Sequence, residues 1–187
     1  VSNFCDFTLE NVCLRAFPAE LGIVVLYTEK KLWLKSFKDM NFTYFMKFAS
    51  IVAVDSKWGI GKNGNIPWNF PYDREFFKNI TTYTTDETKK NVLIMGRKTA
   101  ESCPLEIFKK TRICYIVSSS NKAEYVGNIF QDLTSAVESA KKRPNVENIF
   151  FIGGANIYKE SLRYDPILYI TKLNKDYSCD VDVRFMQ

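Results

Sequence analysis

Histidine does not occur among the 187 residues of the chain. Its absence removes the usual general base near neutral pH, the usual zinc ligand and every Ser-His or Cys-His nucleophilic pair. Any chemistry must rest on carboxylates, Tyr, Lys or a cofactor. Cys-x-x-Cys pairs are missing as well, the five cysteines Cys5, Cys13, Cys103, Cys114 and Cys179 being scattered. Cys114 sits in an apolar run where a buried thiol is expected, and the set reads as reduced thiols of a cytoplasmic protein. No metal site is expected. No apolar stretch reaches the length of a membrane span, and no basic segment followed by an apolar run marks a secretory leader, so no membrane partner is expected. Long basic blocks are also absent. The longest is Lys141-Lys142-Arg143, suited to a solvated helix end, and a net charge of +5 spread along the chain implies no nucleic-acid partner.

What is present is a globular composition, with 46% hydrophobic and 25% charged residues in a length suited to one domain. Aromatic content of 15% favours flat pockets as well as packing. Six short apolar runs, at 48–54, 92–95, 113–117, 128–130, 148–152 and 167–173, predict buried strands. Helix-like segments separate them. In 132–142, Leu133, Ala136, Val137 and Ala140 fall at i, i+3, i+4 and i+7 behind Asp132, a residue suited to an N-cap. The alternation predicts an α/β protein, a three-layer α/β/α sandwich around a mainly parallel mixed sheet. Residues 1–45 read as an N-terminal extension of unknown role. They include a candidate hairpin, 22–27 with 31–37 around Thr28-Glu29-Lys30. Met46 is the natural start of the main domain, 46–187.

Three blocks and one carboxylate carry the chemistry. Ile51-Val52-Ala53-Val54 leads into Gly59-Ile60-Gly61-Lys62-Asn63-Gly64-Asn65-Ile66-Pro67-Trp68, a strand followed by a glycine-rich loop able to change its dihedrals. Asp73 follows at the start of a short helical stretch, 73–80. Taken alone it would be a cap or a surface charge near a helix dipole. Val92-Leu93-Ile94-Met95-Gly96-Arg97-Lys98-Thr99 runs from a buried strand into a helix start, where backbone N–H groups, a hydroxyl and two cations suit a phosphate. Phe150-Phe151-Ile152-Gly153-Gly154-Ala155-Asn156-Ile157-Tyr158 repeats the strand-to-helix pattern with a glycine pair that lets a ligand approach the backbone. Its spacing is not that of the Rossmann fingerprint.

From Ile51 onward these blocks, in this order, resemble the dihydrofolate reductase family over about 135 residues. The resemblance implies reduction of 7,8-dihydrofolate to 5,6,7,8-tetrahydrofolate with NADPH, by hydride transfer to pterin carbon 6 with a proton delivered to the neighbouring nitrogen. It implies a catalytic set of Asp73, Trp68, Thr171 and Tyr158, in which Asp73 holds the pterin amino group and ring nitrogen with two parallel hydrogen bonds and Thr171 orients Asp73. Ile51, Phe77, Ile152, Arg112 and Ser102 are implied on the substrate side, Arg112 pairing with the α-carboxylate of the folate glutamate. Ala53, Ile60, Gly61, Gly64, Gly96, Arg97, Lys98, Thr99, Ser118, Ser119, Gly153, Gly154, Ala155, Asn156 and Ile157 are implied around the cofactor. Arg97 or Lys98, with Ser118 and Ser119, would meet the adenosine 2′-phosphate. A cis peptide between Gly153 and Gly154 is implied too, as are antifolate ligands such as methotrexate. Fusion to thymidylate synthase in a longer gene product is compatible with the resemblance.

Departures cluster in the substrate-tail groove, where Arg74, Lys109 and Cys103 replace apolar family residues and Ala100 replaces a tryptophan. Residues 177–187 follow the family only loosely and its final hairpin is missing, which leaves 167–173 as an apolar sheet edge unless residues 22–37 cover it. Two other readings use the same residues: a non-catalytic NADPH- or folate-binding remnant, and a same-fold reductase acting on a riboflavin-pathway pyrimidine.

Overall fold

The alternating apolar runs assemble into one twisted sheet with helices on both faces. The computed structural model describes residues 48–119, 128–183 and 185, together with the backbone of strands at 8–9, 12–16 and 23–27. The elements in chain order are β1 (Thr8–Leu9), β2 (Val12–Ala16), β3 (Ile23–Tyr27), β4 (Phe48–Val54), β5 (Gly59–Gly61), α1 (Pro71–Thr82), β6 (Lys90–Gly96), α2 (Arg97–Ser102) and α3 (Leu105–Thr111). They continue with β7 (Ile113–Val117), β8 (Asn128–Phe130), α4 (Leu133–Lys141), β9 (Val146–Phe151), α5 (Ala155–Ser161), a 3-10 turn (Leu162–Tyr164), β10 (Ile167–Lys172) and β11 (Val181–Asp182).

The main sheet has the order β1-β2-β3-β10-β4-β9-β6-β7-β8. From β10 to β8 every pairing is parallel. The six expected strands all occur, and the three-layer arrangement follows from their period-two side chains. Leu93 and Met95 of β6, with Phe150 and Ile152 at the end of β9, face one layer beside Ile80 of α1 and Ala100 of α2. Val92, Ile94, Ile149 and Phe151 face the other, against Leu133, Ala136, Val137 and Ala140 of α4. Asp132 caps α4 as expected, accepting from the Ser135 N–H at 2.7 Å.

One expectation needs correction. Helix α1 begins at Pro71 rather than Asp73 because proline suits the first helical position, where its missing N–H costs nothing. The expected cover for the outer edge of β10 does come from within residues 22–37: β3 pairs with it antiparallel, Leu168 opposite Tyr27 through Thr171 opposite Val24. The strand on the far side of β3 is β2, which precedes it in sequence. The hairpin's other expected strand, 31–37, and Met46 lie outside the described residues.

Candidate active site

Asp73 occupies the first turn of α1, where the helix dipole favours a negative charge. It does not cap the helix; Phe70 holds that position without a side-chain hydrogen bond. Its carboxyl is half-buried against the sheet, and burial raises its pKa above the ordinary carboxylate value, opposed by a hydrogen bond with the Thr171 side chain. A carboxyl so placed can hold a planar amino-heterocycle and influence protonation beside it. Ile51, Met95, Ala100 and Ile152 are buried in the same apolar cluster, with Phe76, Phe77, Leu105 and Phe108 packed against it.

Arg112 packs on the Phe77 and Phe108 side of this cluster. Its guanidinium lies over the Phe108 ring at 4.5 Å and the Phe77 ring at 5.7 Å, and Nη1 donates to Thr81 Oγ1 at 2.7 Å. The side chain is 4% exposed and Nε is buried with no partner. Burial pulls its pKa down, and an unsatisfied buried donor on a cation is costly unless an anion completes it. Asp73 and Thr81 are eight residues apart on α1, about 12 Å along its axis. Phe77 lies between them. Along this side of α1 a carboxylate, an aromatic pair and a guanidinium thus follow one another.

The second half of the site is the seam between the ends of β6 and β9. The Gly96 N–H donates to the Gly153 carbonyl at 2.7 Å, and the Gly153-Gly154 peptide is cis, as the resemblance implied. Gly153 has φ of +110°, and a Cβ there would meet the Tyr158 ring at 3.0 Å. A Cβ on Gly154 would meet Thr99 Oγ1 at 3.5 Å. Neither α2 nor α5 has a side-chain cap, so backbone donors following Gly96 and Gly154 point from adjacent helix starts. Ala155 and Asn156 open α5, whereas Ile157 is buried. The Tyr158 hydroxyl donates to the Ile51 carbonyl at 2.9 Å, linking the seam to β4 and the substrate side. Lys98 is exposed, whereas Arg97 is engaged with Glu101 at 2.6 Å. Ser118 is buried and its N–H donates to the Phe130 carbonyl, with exposed Ser119 beside it. Ser102 is exposed and spends its hydroxyl on the Thr99 carbonyl at 2.9 Å.

The glycine-rich loop is tied down at both ends. Asn63 and Gly64 form its tip, with φ of +51° and +77° and paired Lys62–Asn65 backbone bonds, a turn that favours Asn-Gly. Gly59, Ile60 and Gly61 form β5, which pairs with β11. Trp68 packs edge-on to Tyr177 at 5.2 Å. Ala53 is half-buried in β4, opposite Thr171.

Sequence reading missed Asp55. It is buried at the end of β4 and accepts from the N–H groups of Gly59 at 2.7 Å, Lys57 at 2.9 Å and Tyr177 at 3.1 Å. Burial pushes its pKa up, but these bonds and one from the Cys179 thiol outweigh it and hold the carboxyl below its ordinary value. Asp55 thereby fixes the loop's first turn to the segment before β11. The Asp-to-Gly spacing at a strand end was the available signal. Thr81, the partner of Arg112, gave no signal at all.

A family model described as dihydrofolate reductase matches residues 47–186. The chain is 38% identical over 144 residues to a dihydrofolate reductase of Schistosoma mansoni, covering 72% of this chain and 76% of that one. It is 32% identical over 148 residues to a putative dihydrofolate reductase of Caenorhabditis elegans, covering 74% and 77%. Against the bifunctional dihydrofolate reductase-thymidylate synthase of Glycine max it is 35% identical over 140 residues, covering 70% of this chain. That match spans only 26% of the bifunctional relative.

Proposed function

The chain belongs to the dihydrofolate reductase family, and from that premise we propose that it reduces 7,8-dihydrofolate to 5,6,7,8-tetrahydrofolate at the expense of NADPH. One observation carries the reading: a half-buried carboxyl with a raised pKa and a buried guanidinium with an orphan Nε stand on either side of the Phe77 and Phe108 rings beside α1. That is the complement of a substrate with an amino-heterocycle at one end and a carboxylate at the other. Asp73 receives the heterocycle's paired donors, Phe77 and Phe108 exclude water along the middle, and Arg112 gains at Nε the partner it lacks. By stabilising a donor on the pterin side, Asp73 tunes protonation at the ring nitrogen, while Thr171 keeps it oriented.

NADPH, when bound, supplies the hydride. The seam fits it through Gly153, where a side chain would press on Tyr158, through the adjoining Gly96 and Gly154, and through Thr99 and the uncapped N–H groups beyond them. Lys98 and Ser119 are exposed for a 2′-phosphate. Antifolates such as methotrexate share the substrate's chemistry and occupy the same groove. A cytoplasmic location is part of the proposal, supported by Cys103, Cys114 and Cys179 being free thiols. Any role in a bifunctional reductase-synthase rests on the resemblance to such proteins.

Oxidation of NADPH by the purified chain, measured with and without dihydrofolate, tests the proposal. Oxidation that depends on dihydrofolate is expected. If methotrexate and NADPH raise the melting temperature but no oxidation follows, the chain is a binding remnant and the enzymatic reading fails.

A further inference from the structure

Tyr158 is held at three points: its hydroxyl donates to the Ile51 carbonyl at 2.9 Å, its ring lies where a Cβ on Gly153 would meet it at 3.0 Å, and its carbonyl accepts from the Ser161 hydroxyl at 2.7 Å. Ser161 Oγ also lies 3.0 Å from Ser50 Oγ of β4. A carbonyl cannot donate, so the one Ser161 hydroxyl proton goes to Tyr158 and Ser50 is the donor of the second bond. The protons therefore point one way, from Ser50 through Ser161 to the Tyr158 carbonyl, and each bond polarises the next. Both serines are fully buried, where an unbonded hydroxyl is costly.

Ser50 sits inside the sheet, opposite Leu168 of β10 and Phe151 of β9, so β4 is fixed on both sides. The element left to be positioned is α5, seven residues that begin directly after the Gly153-Gly154 seam. Its side chains bond consecutive residues of β4, Tyr158 reaching Ile51 and Ser161 reaching Ser50. Two such points set the tilt of the helix, whereas one leaves it free to pivot about the Tyr158 hydroxyl. We propose that Ser50 and Ser161 form a positioning pair for the cofactor, fixing the tilt of α5 and with it the Tyr158 ring against the Gly153 backbone. The proposal rests on the reading of the seam as the NADPH site, in which neither serine touches cofactor or substrate. Positioning worth one neutral hydrogen bond corresponds to about a fivefold change in KM.

Steady-state kinetics and thermal melts of the full chain carrying Ser50→Ala, Ser161→Ala or both test this. Ser161→Ala leaves the Ser50 O–H buried without its acceptor and should melt lowest, while the double variant removes that orphan and should regain most of the lost melting temperature. All of these variants are expected to raise the KM for NADPH about fivefold. The KM for dihydrofolate should change little, because Asp73 is held by Thr171 of β10. Melting temperature and cofactor KM thus part company in the double variant. A KM for NADPH that returns to the parent value there marks the pair as a stability feature only and overturns the proposal, as does an unchanged value in every variant. If Ser161→Ala does not fold, Ser50→Ala decides, since it removes the pair while leaving the Ser161 bond to Tyr158 in place. If the parent turns over no dihydrofolate, the reductase reading fails, and quenching of tryptophan fluorescence by NADPH then decides the positioning proposal. Weaker binding in the variants supports it, and equal affinities, or a parent that binds no NADPH, overturn it.

Discussion

Arg112 Nη1 and Thr81 Oγ1 meet at 2.7 Å between the end of α3 and the last turn of α1. The bond sets the guanidinium across Phe108 while its Nε stays buried without a partner. A planar fork held this way is ready for a carboxylate, and an ammonium cannot reproduce it.

Arg112→Lys is therefore expected to raise KM for dihydrofolate at least tenfold with kcat little changed. A charge-assisted hydrogen bond is worth roughly 1.5–3 kcal/mol, and about 1.4 kcal/mol is a factor of ten. The KM for NADPH should not move, since Arg112 lies on the substrate side. Unchanged dihydrofolate KM would take Arg112 out of substrate binding.

Much of this was legible in the sequence, for particular reasons. Strands of β-branched and aromatic residues separated by a well-capped helix left little choice but an α/β sheet, and Asp132 marked the start of α4 to the residue. Glycines at 96, 153 and 154 marked the backbone seam, and at 153 a side chain would press on Tyr158. What stayed hidden depended on contacts between distant segments. Asp55 reads as an ordinary strand end until Tyr177 returns to bond it, and Thr81 reads as a helix filler until Arg112 reaches it. The register of β3 against β10 has no local signature, since an edge strand can accept any strand of suitable length.

The 2′-phosphate preference should depend more on Lys98 than on Arg97, because Arg97 is already engaged with Glu101 at 2.6 Å. Replacing both cations by Gln should narrow the NADPH-to-NADH ratio of kcat/KM by tenfold or more, on the scale of roughly 1.5–3 kcal/mol for each charge-assisted bond. Lys98→Gln alone should produce most of the loss. An unchanged ratio in the double variant would mean that the phosphate is held elsewhere.

Asp73 links activity to stability in opposite senses. Its folded pKa is raised, first by burial and against the pull of Thr171, so its protonated form is favoured by folding. The associated stability is present below the unfolded carboxylate pKa and is lost as pH rises through the folded value. Asp73→Asn removes that loss. The variant should melt higher than the parent near pH 7, with the gap closing towards acid pH below the ordinary Asp value of about 3.9. A melting difference independent of pH would contradict the raised pKa.

Strand β3 shields the outer edge of β10 along four paired residues. Deleting residues 1–45 should expose the backbone donors and acceptors of that edge, lowering solubility and broadening or abolishing cooperative unfolding. Thermal melts and light scattering of the shortened chain check this. A soluble domain with an unchanged cooperative transition would show that the sheet does not need β3.

Isotope transfer tests the central claim most directly. The purified chain is given dihydrofolate and NADPH carrying deuterium on the reactive face of nicotinamide carbon 4, and the product is analysed by mass spectrometry and NMR. Deuterium at carbon 6 of tetrahydrofolate is predicted, with the rate reduced by orders of magnitude in Asp73→Asn, each factor of ten representing about 1.4 kcal/mol of transition-state stabilisation. Product without the label, no product at all, or full-rate transfer in the Asp73→Asn variant would contradict the account.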